Sequence, residues 1–249
     1  MVDALLSDAR AQPPADGTVA GTTAFVLPHA GYVYSGSTAA LGYAVLETLA
    51  DRVRRVVLLG PTHRVPVAGL ALPEADAFET PLGLVPVVEP DRAVRSAHPA
   101  IVDRADVHLL EHSLEVHVPF LQRVLPDGFE LMPFAVGQAG PEVVAGVIDA
   151  VASDPGTVVI VSSDLSHYHA YAEARAIDGR TIRSVLALDP AIGHDQACGA
   201  TPLNGLLTRA ARTHARVALL GACSSGDTAG DRRRVVGYAA FRFSGAAAA

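Results

Sequence analysis

The sequence predicts an α/β fold: one domain with a central, largely parallel or mixed sheet flanked by helices. Three observations predict it. Runs of Val, Leu and Ile recur along the 249 residues, and most are continuous rather than alternating, as in strands covered on both faces. Helical stretches separate these runs, and that alternation is the mark of a parallel sheet. No internal repeat or clear linker divides the chain. A single domain is therefore expected over 1–249, with its core at about 22–243 and a disordered tail at 244–249.

The strands are expected at 23–28 (TAFVLP), 54–60 (RRVVLLG), 129–137 (FELMPFAVG), 157–163 (TVVIVSS), 215–222 (ARVALLGA) and 234–243 (RVVGYAAFRF). The last alternates loosely and reads as an edge or antiparallel strand. The first helix is expected over 35–50, begun by serine caps. In SLEVHVPFLQRVL, Leu114, Val118, Leu121 and Leu125 share one helical face. Pro119 implies a kink or a later start there. Further helices are expected over 140–154, opened by Pro141, over 171–189 and over 201–214. The Pro-rich segment 66–90 suits a small hairpin excursion.

Composition excludes several chemistries. All 19 basic residues are arginine. Without lysine there is no P-loop, no kinase strand lysine and no Schiff base for pyridoxal phosphate. No G-x-G-x-x-G follows a strand, so a dinucleotide site has no support. The net charge is −7, and the one dense basic run, Arg232 to Arg234, follows Asp231 and reads as a solvated turn. Nucleic acid is therefore not an expected partner. No apolar stretch approaches the roughly 20 residues of a membrane span, and nothing reads as a signal peptide. Two cysteines do not make a disulfide scaffold. A reduced, cytoplasmic protein is expected.

Three strand ends carry histidine: His29 in VLPHAGYVYSG, His63 in VVLLGPTH and His167 in VVIVSSDLSH. Sites in open α/β sheets form beyond the carboxyl ends of strands. If the three strands are neighbours, the imidazoles converge on one cleft. Asp164 is either a helix N-cap or a site carboxylate, and His167 is placed to give or take a proton near neutral pH. The stretch EHSLEVH has the wrong order for H-E-x-x-H. His112 and His117 stand about 140° apart on an ideal helix and cannot chelate one ion together. His112 or Glu115 is expected to face the cleft, and His117 reads equally well as part of a polar loop entering a helix. Cys198, just before a helix, is expected to have a lowered pKa, as a nucleophile or as a metal ligand. Cys223 reads as a small buried hydrophobe. His169 is expected to face elsewhere, and His98, His108, His194 and His214 to lie at the surface.

PHAGYVYSG, GPTHRVP, EHSLEVHVPFLQ, SSDLSHY, CGATPL and SSGD…GYAAF occur in order over residues 26 to 241. This set resembles the Memo family, which includes the eukaryotic mediator of cell motility and the bacterial AmmeMemoRadiSam system protein B. The resemblance implies a fold like that of class III extradiol dioxygenases and a metal site. The implied ligands are His29, His63 and Cys198. Asp164 and His167 would line the pocket as catalytic groups, with His112, Glu115, His117 and Tyr32 around them. In the dioxygenases two His and a Glu hold non-haem iron(II). A cysteine in the carboxylate's place is softer and favours copper(I), zinc or thiolate-bound iron. Family members also carry a segment like V-A-G-x-F-Y-P before the first strand, which LLSDARAQPPADGTVAGTTAF lacks.

The leading expectation is a metal-dependent oxidoreductase with iron(II) or copper(I) as cofactor and zinc as a further candidate. The alternative is a non-catalytic metal-handling protein, or one whose cleft takes a small molecule or peptide. A metal-assisted hydrolase ranks last. The resemblance also points to radical SAM or AMMECR1-type partner proteins.

Overall fold

A computed structural model describes residues 1–12 and 21–245. Eleven strands and eight α-helices are assigned among them. The strands are β1 Thr22–Leu27, β2 Arg55–Pro61, β3 Leu70–Leu72, β4 Ala77–Thr80, β5 Gly83–Pro86, β6 Ile101–Asp103, β7 Glu130–Val136, β8 Thr157–Ser162, β9 His167–His169, β10 Arg216–Ser224 and β11 Val235–Ser244. The helices are α1 Val2–Arg10, α2 Tyr32–Glu47, α3 Arg92–Ala97, α4 Ala105–His108, α5 Val118–Val124, α6 Pro141–Val151, α7 Tyr171–Leu186 and α8 Ala200–Arg212.

The main sheet has nine strands, in the order β10-β11-β1-β8-β2-β7-β3-β6, with β9 hydrogen-bonded to β11. β1, β8, β2 and β7 are mutually parallel. β11 is antiparallel to both β1 and β10, and β3 is antiparallel to β7. The sheet is thus mixed, as one of the two expected forms. β2 and β8 are buried along nearly their whole length, because helices cover both faces and leave no wet side to mark with polar residues. One apolar cluster packs Tyr43, Leu46, Phe120 and Leu121 against Phe25 and Leu58. The other packs Val144, Ile148, Leu203 and Leu207 against Val57 and Val161.

The six expected strands and five expected helices are all present, with shifted ends. α2 starts at Tyr32 behind Gly31, not behind a serine cap. Pro119 has the later-start effect: Glu115–His117 form a 3-10 turn and the α-helix begins at Val118, with proline in its first turn. Segment 66–90 does form a hairpin, β4–β5, and it also supplies β3 to the main sheet. β11 is antiparallel but not an edge, since β10 takes that place. It runs to Ser244, whose partners are Thr22 and Arg216, so residue 244, expected in the tail, ends a strand. Residues 246–249 lie outside the described residues, as does part of the N-terminal segment that lacks the family motif.

Sequence reading missed α1. Its first residues look too polar for a core, but Leu6 and Ala9 are buried on one face. The helix packs against α2, where the Arg10 guanidinium meets Glu47 at 2.7 Å.

Candidate metal centre

β1, β8 and β2 are neighbours, and their carboxyl ends lie together. His29 follows β1, Asp164 and His167 follow β8, and His63 follows β2. The fourth contributor comes from the loop before α8. Gly199 lets that loop close on β8: a Cβ there would lie 2.5 Å from the Ser162 carbonyl oxygen. The chain therefore needs glycine beside Cys198 to bring the sulfur inward.

Donor atoms of His29, His63 and Cys198 all lie within 4.8 Å of one another. The Cys198 Sγ to His29 Nε2 distance is 3.4 Å, close to the roughly 3.5 Å edge of a tetrahedron built from metal–ligand bonds of about 2.0–2.3 Å. The three donors thus fit a metal ion.

The hydrogen-bond network fixes which nitrogen of each ring faces the ion. Ser162 Oγ donates to the Ser113 carbonyl at 2.6 Å. Its one hydrogen is spent, so it accepts from His29 Nδ1–H at 2.6 Å and from His117 Nε2–H at 2.8 Å. His117 Nδ1 then accepts from the Tyr43 hydroxyl at 2.6 Å. On the other side, the Glu111 carboxylate can only accept, so His63 Nδ1 at 2.9 Å carries the proton. Both imidazoles are therefore Nδ1–H tautomers with a bare Nε2, the form that outer hydrogen bonds impose on a histidine able to bind a metal.

The electrostatics agree. Burial, reinforced by His63 and His112, holds the His29 pKa well below its usual value, so the ring is neutral. Burial brings His117 down to about 3, with His29 adding to the effect. For Glu111 burial acts upward, but hydrogen bonds from the His63 ring and amide and from the Ser113 amide outweigh it and bring the carboxyl down to about 2. Cys198 departs from its expectation. Burial, then the Asp164 charge, pushes the thiol up to about 12. One helix N-terminus does not offset that desolvation, so the sulfur is no free thiolate nucleophile and needs a cation to ionise it.

Asp164 caps no helix. Its Oδ1 accepts from the His29 amide at 2.8 Å and the Ala30 amide at 3.3 Å, and Oδ2 lies 3.9 Å from His29 Nε2. Burial raises its carboxyl to about 6 despite those amides. His167 Nδ1 donates to the Leu165 carbonyl at 2.8 Å, which leaves its Nε2 bare.

A cavity of about 930 Å³ opens from the donors and is lined by His29, His63, Cys198, Asp164, His167 and His112, among others. The other expected pocket residues divide. The His112 ring stacks on His63 at 5.2 Å. His117 is buried one layer behind, against Ser162. Glu115 is exposed and lines a separate cavity beside α4 and β4. Tyr32 donates to the Val116 carbonyl at 2.8 Å and packs edge-on to Phe120; Tyr34 lines the cleft instead. His169 and His194, expected elsewhere, also line it. His108 is bonded at 2.9 Å to the Ala71 carbonyl, not free at the surface. Cys223 is half-buried, 3.0 Å from Thr38 Oγ1. Glu111 and Ser162 are site residues that sequence alone does not reveal. Glu111 sits in a polar run that also suits a surface loop, and Ser162 ends a buried strand, so neither carries a local signal.

Fold and site define a class: an α/β protein with three donors for a metal ion clustered in an open cleft at the carboxyl ends of its parallel strands. The chain belongs to the Memo-like protein family, whose model matches residues 3–242. It is 37% identical over 233 residues to a MEMO1 family protein of Methanosarcina barkeri, covering 86% of this chain and 84% of the relative. It is 34% identical over 233 residues to a MEMO1 family protein of Saccharolobus solfataricus, covering 88% and 82%. No helix among the described residues is long and apolar enough to cross a membrane.

Proposed function

We propose that the protein is a metal-dependent oxidoreductase whose centre is His29, His63 and Cys198, with iron or copper as the metal. One observation carries this reading: both imidazoles present a bare Nε2 to a thiol in the wall of an open cleft. A structural zinc site would be closed by four protein ligands, whereas three protein ligands beside a cavity leave a position for substrate. The thiol favours a soft or redox-active ion over magnesium or calcium. A bound iron or copper ion would supply one-electron redox chemistry.

The chain's own groups do the rest. Glu111 and Ser162 lock the two rings in orientation. His167 Nε2 is the base that takes a proton from a substrate hydroxyl, because its Nδ1–H is held by Leu165. Asp164, with a carboxyl near 6, exchanges a proton close to neutral pH. The buried apolar strands behind the donors exclude water from one side.

The test is anaerobic purification with elemental analysis and a metal-edge absorption spectrum, on wild type and Cys198→Ser, followed by oxygen uptake with phenolic substrates. The expected result is near-stoichiometric iron or copper in wild type, loss in the variant, and metal-dependent uptake. Equal metal content in both proteins would sink the centre.

A second reading is metal handling without turnover. The observation favouring it is a second donor group, His63, Glu111 and His112, also within 4.8 Å of one another and more exposed. Sharing His63, it suits transfer of an ion inward. Tight metal with no oxygen uptake on any phenol would select this reading.

A further inference from the structure

One wall of the cleft is built from different chemistry. β11 and the residue before it place Arg234, Val236 and Tyr238 two apart, so all three line the cavity. Tyr238 is deep, 2% exposed, and Arg234 stands at the mouth. At roughly 3.3 Å per residue, the row spans about 13 Å.

Arg234 is held ready. Its guanidinium lies over the Tyr168 ring, 5.0 Å from the centroid. Tyr168 adopts φ 62°, a left-handed conformation that costs a side-chain-bearing residue energy and is retained only where the surroundings impose it. Here β9 imposes it, with His169 paired to Val235 and His167 to Val236. Neighbouring Arg232 and Arg233 pair with Asp227 and Asp231. Arg234 has no ion pair among the described residues. Asp164 and Asp195 are the cavity's carboxylates; Asp164 lies at the deep end, bonded to the amides of His29 and Ala30. In a chain of net charge −7, an unpaired arginine stacked at the mouth of an imidazole-lined cleft is a receptor for an anion.

We propose that Arg234, posed on Tyr168, is the specificity-determining residue that receives the oxyanion, a carboxylate or a phosphate, of an elongated organic substrate whose other end reaches the His29–His63–Cys198 centre. The proposal rests on reading the cleft as a substrate site, but binding tests it without turnover. The probes are 5-(4-hydroxyphenyl)pentanoate, its uncharged amide, the matching phosphonate, and 4-hydroxybenzoate as a short acid, titrated calorimetrically into the protein as purified. The long acid is expected to bind about tenfold tighter than its amide, the scale of a charge-assisted bidentate contact, and tighter than the short acid. The acid-to-phosphonate ratio assigns the oxyanion. Arg234→Gln is expected to erase the acid-over-amide preference and leave amide binding unchanged. Arg234→Lys keeps part of it, and Arg233→Gln keeps all of it. Equal binding of acid and amide, or a preference that survives Arg234→Gln, overturns the proposal. Arg234-dependent binding without oxygen uptake would retain the anion site while removing the oxidoreductase reading.

Discussion

The two histidines of the donor cluster are held by opposite means. His29 is 2% exposed and stands on a chain of neutral groups: Ser162, then His117, then Tyr43. The His63 side chain is 29% exposed and is clamped by one buried anion, Glu111, which also accepts from the amides of His63, His112 and Ser113. The difference follows from the donors available, because Glu111 is as buried as His29. Where no set of donors converges, an unpaired buried charge is too costly and orientation is transmitted by neutral hydrogen bonds. Where four donors converge, a buried carboxylate is stable as an anion, and it makes the ring it touches a stronger metal ligand.

The largest expected effect breaks the clamp. Glu111→Gln puts an amide NH2 among four donors, so at least one loses its acceptor. Metal affinity is expected to fall by about 10–100-fold, measured by competition with a chromophoric chelator. An unchanged affinity would mean that Glu111 is not the group orienting His63.

Acidification should separate the two sides. Glu111 has a folded pKa of about 2 against an ordinary 4.5, a depressed carboxylate. Its contribution to stability is full above 4.5 and is lost as pH falls through 2. His117, at about 3 against 6.5, is buried neutral. The unfolded chain takes up a proton below 6.5 that the fold refuses, so stability falls as pH drops from 6.5 toward 3. Asp164 acts in the opposite sense: its carboxyl is raised to about 6 from 3.8, so it costs stability as pH rises through that interval. Urea titrations of metal-free protein from pH 7 to 3 should show a net loss of a few kcal/mol. His117→Gln should flatten the part between 6.5 and 3, and a wild-type slope in that variant would show that the relay does not control this window.

The smallest effect tunes the relay. Tyr43→Phe removes the donor to His117 Nδ1 and should cost about 1–2 kcal/mol of stability with little change in metal affinity. Ser162→Ala, which strips the acceptor from both His29 and His117, should cost more on both measures. The reverse order would place the orienting group at Tyr43.

Much of this was legible along the chain. Continuous apolar runs are visible because strands covered on both faces need no polar alternation. β1, β8 and β2 were placed correctly, and their ends carried His29, His167 and His63. Pro119 announced the later helix start. What failed was whatever depended on which way a side chain points. Glu115 and Tyr32 share motifs with site residues but turn away from the cleft, while Tyr34, His169 and His194 turn into it. α1 was hidden because a helix that buries only one narrow face looks polar in composition.

By itself the sequence determined the strand–helix alternation and, through its ordered motifs, the resemblance to a family that implies two imidazoles and a thiol as donors, because hydrophobic pattern and short motifs are local properties written one position at a time. Only the tertiary structure decided that Glu111 and Ser162 stand behind the two rings, that both rings therefore offer Nε2, and that Cys198 lies too deep to ionise without a cation. Each of those depends on solvent exclusion and on partners 45 to 169 residues apart, which exist as neighbours only after the sheet has formed.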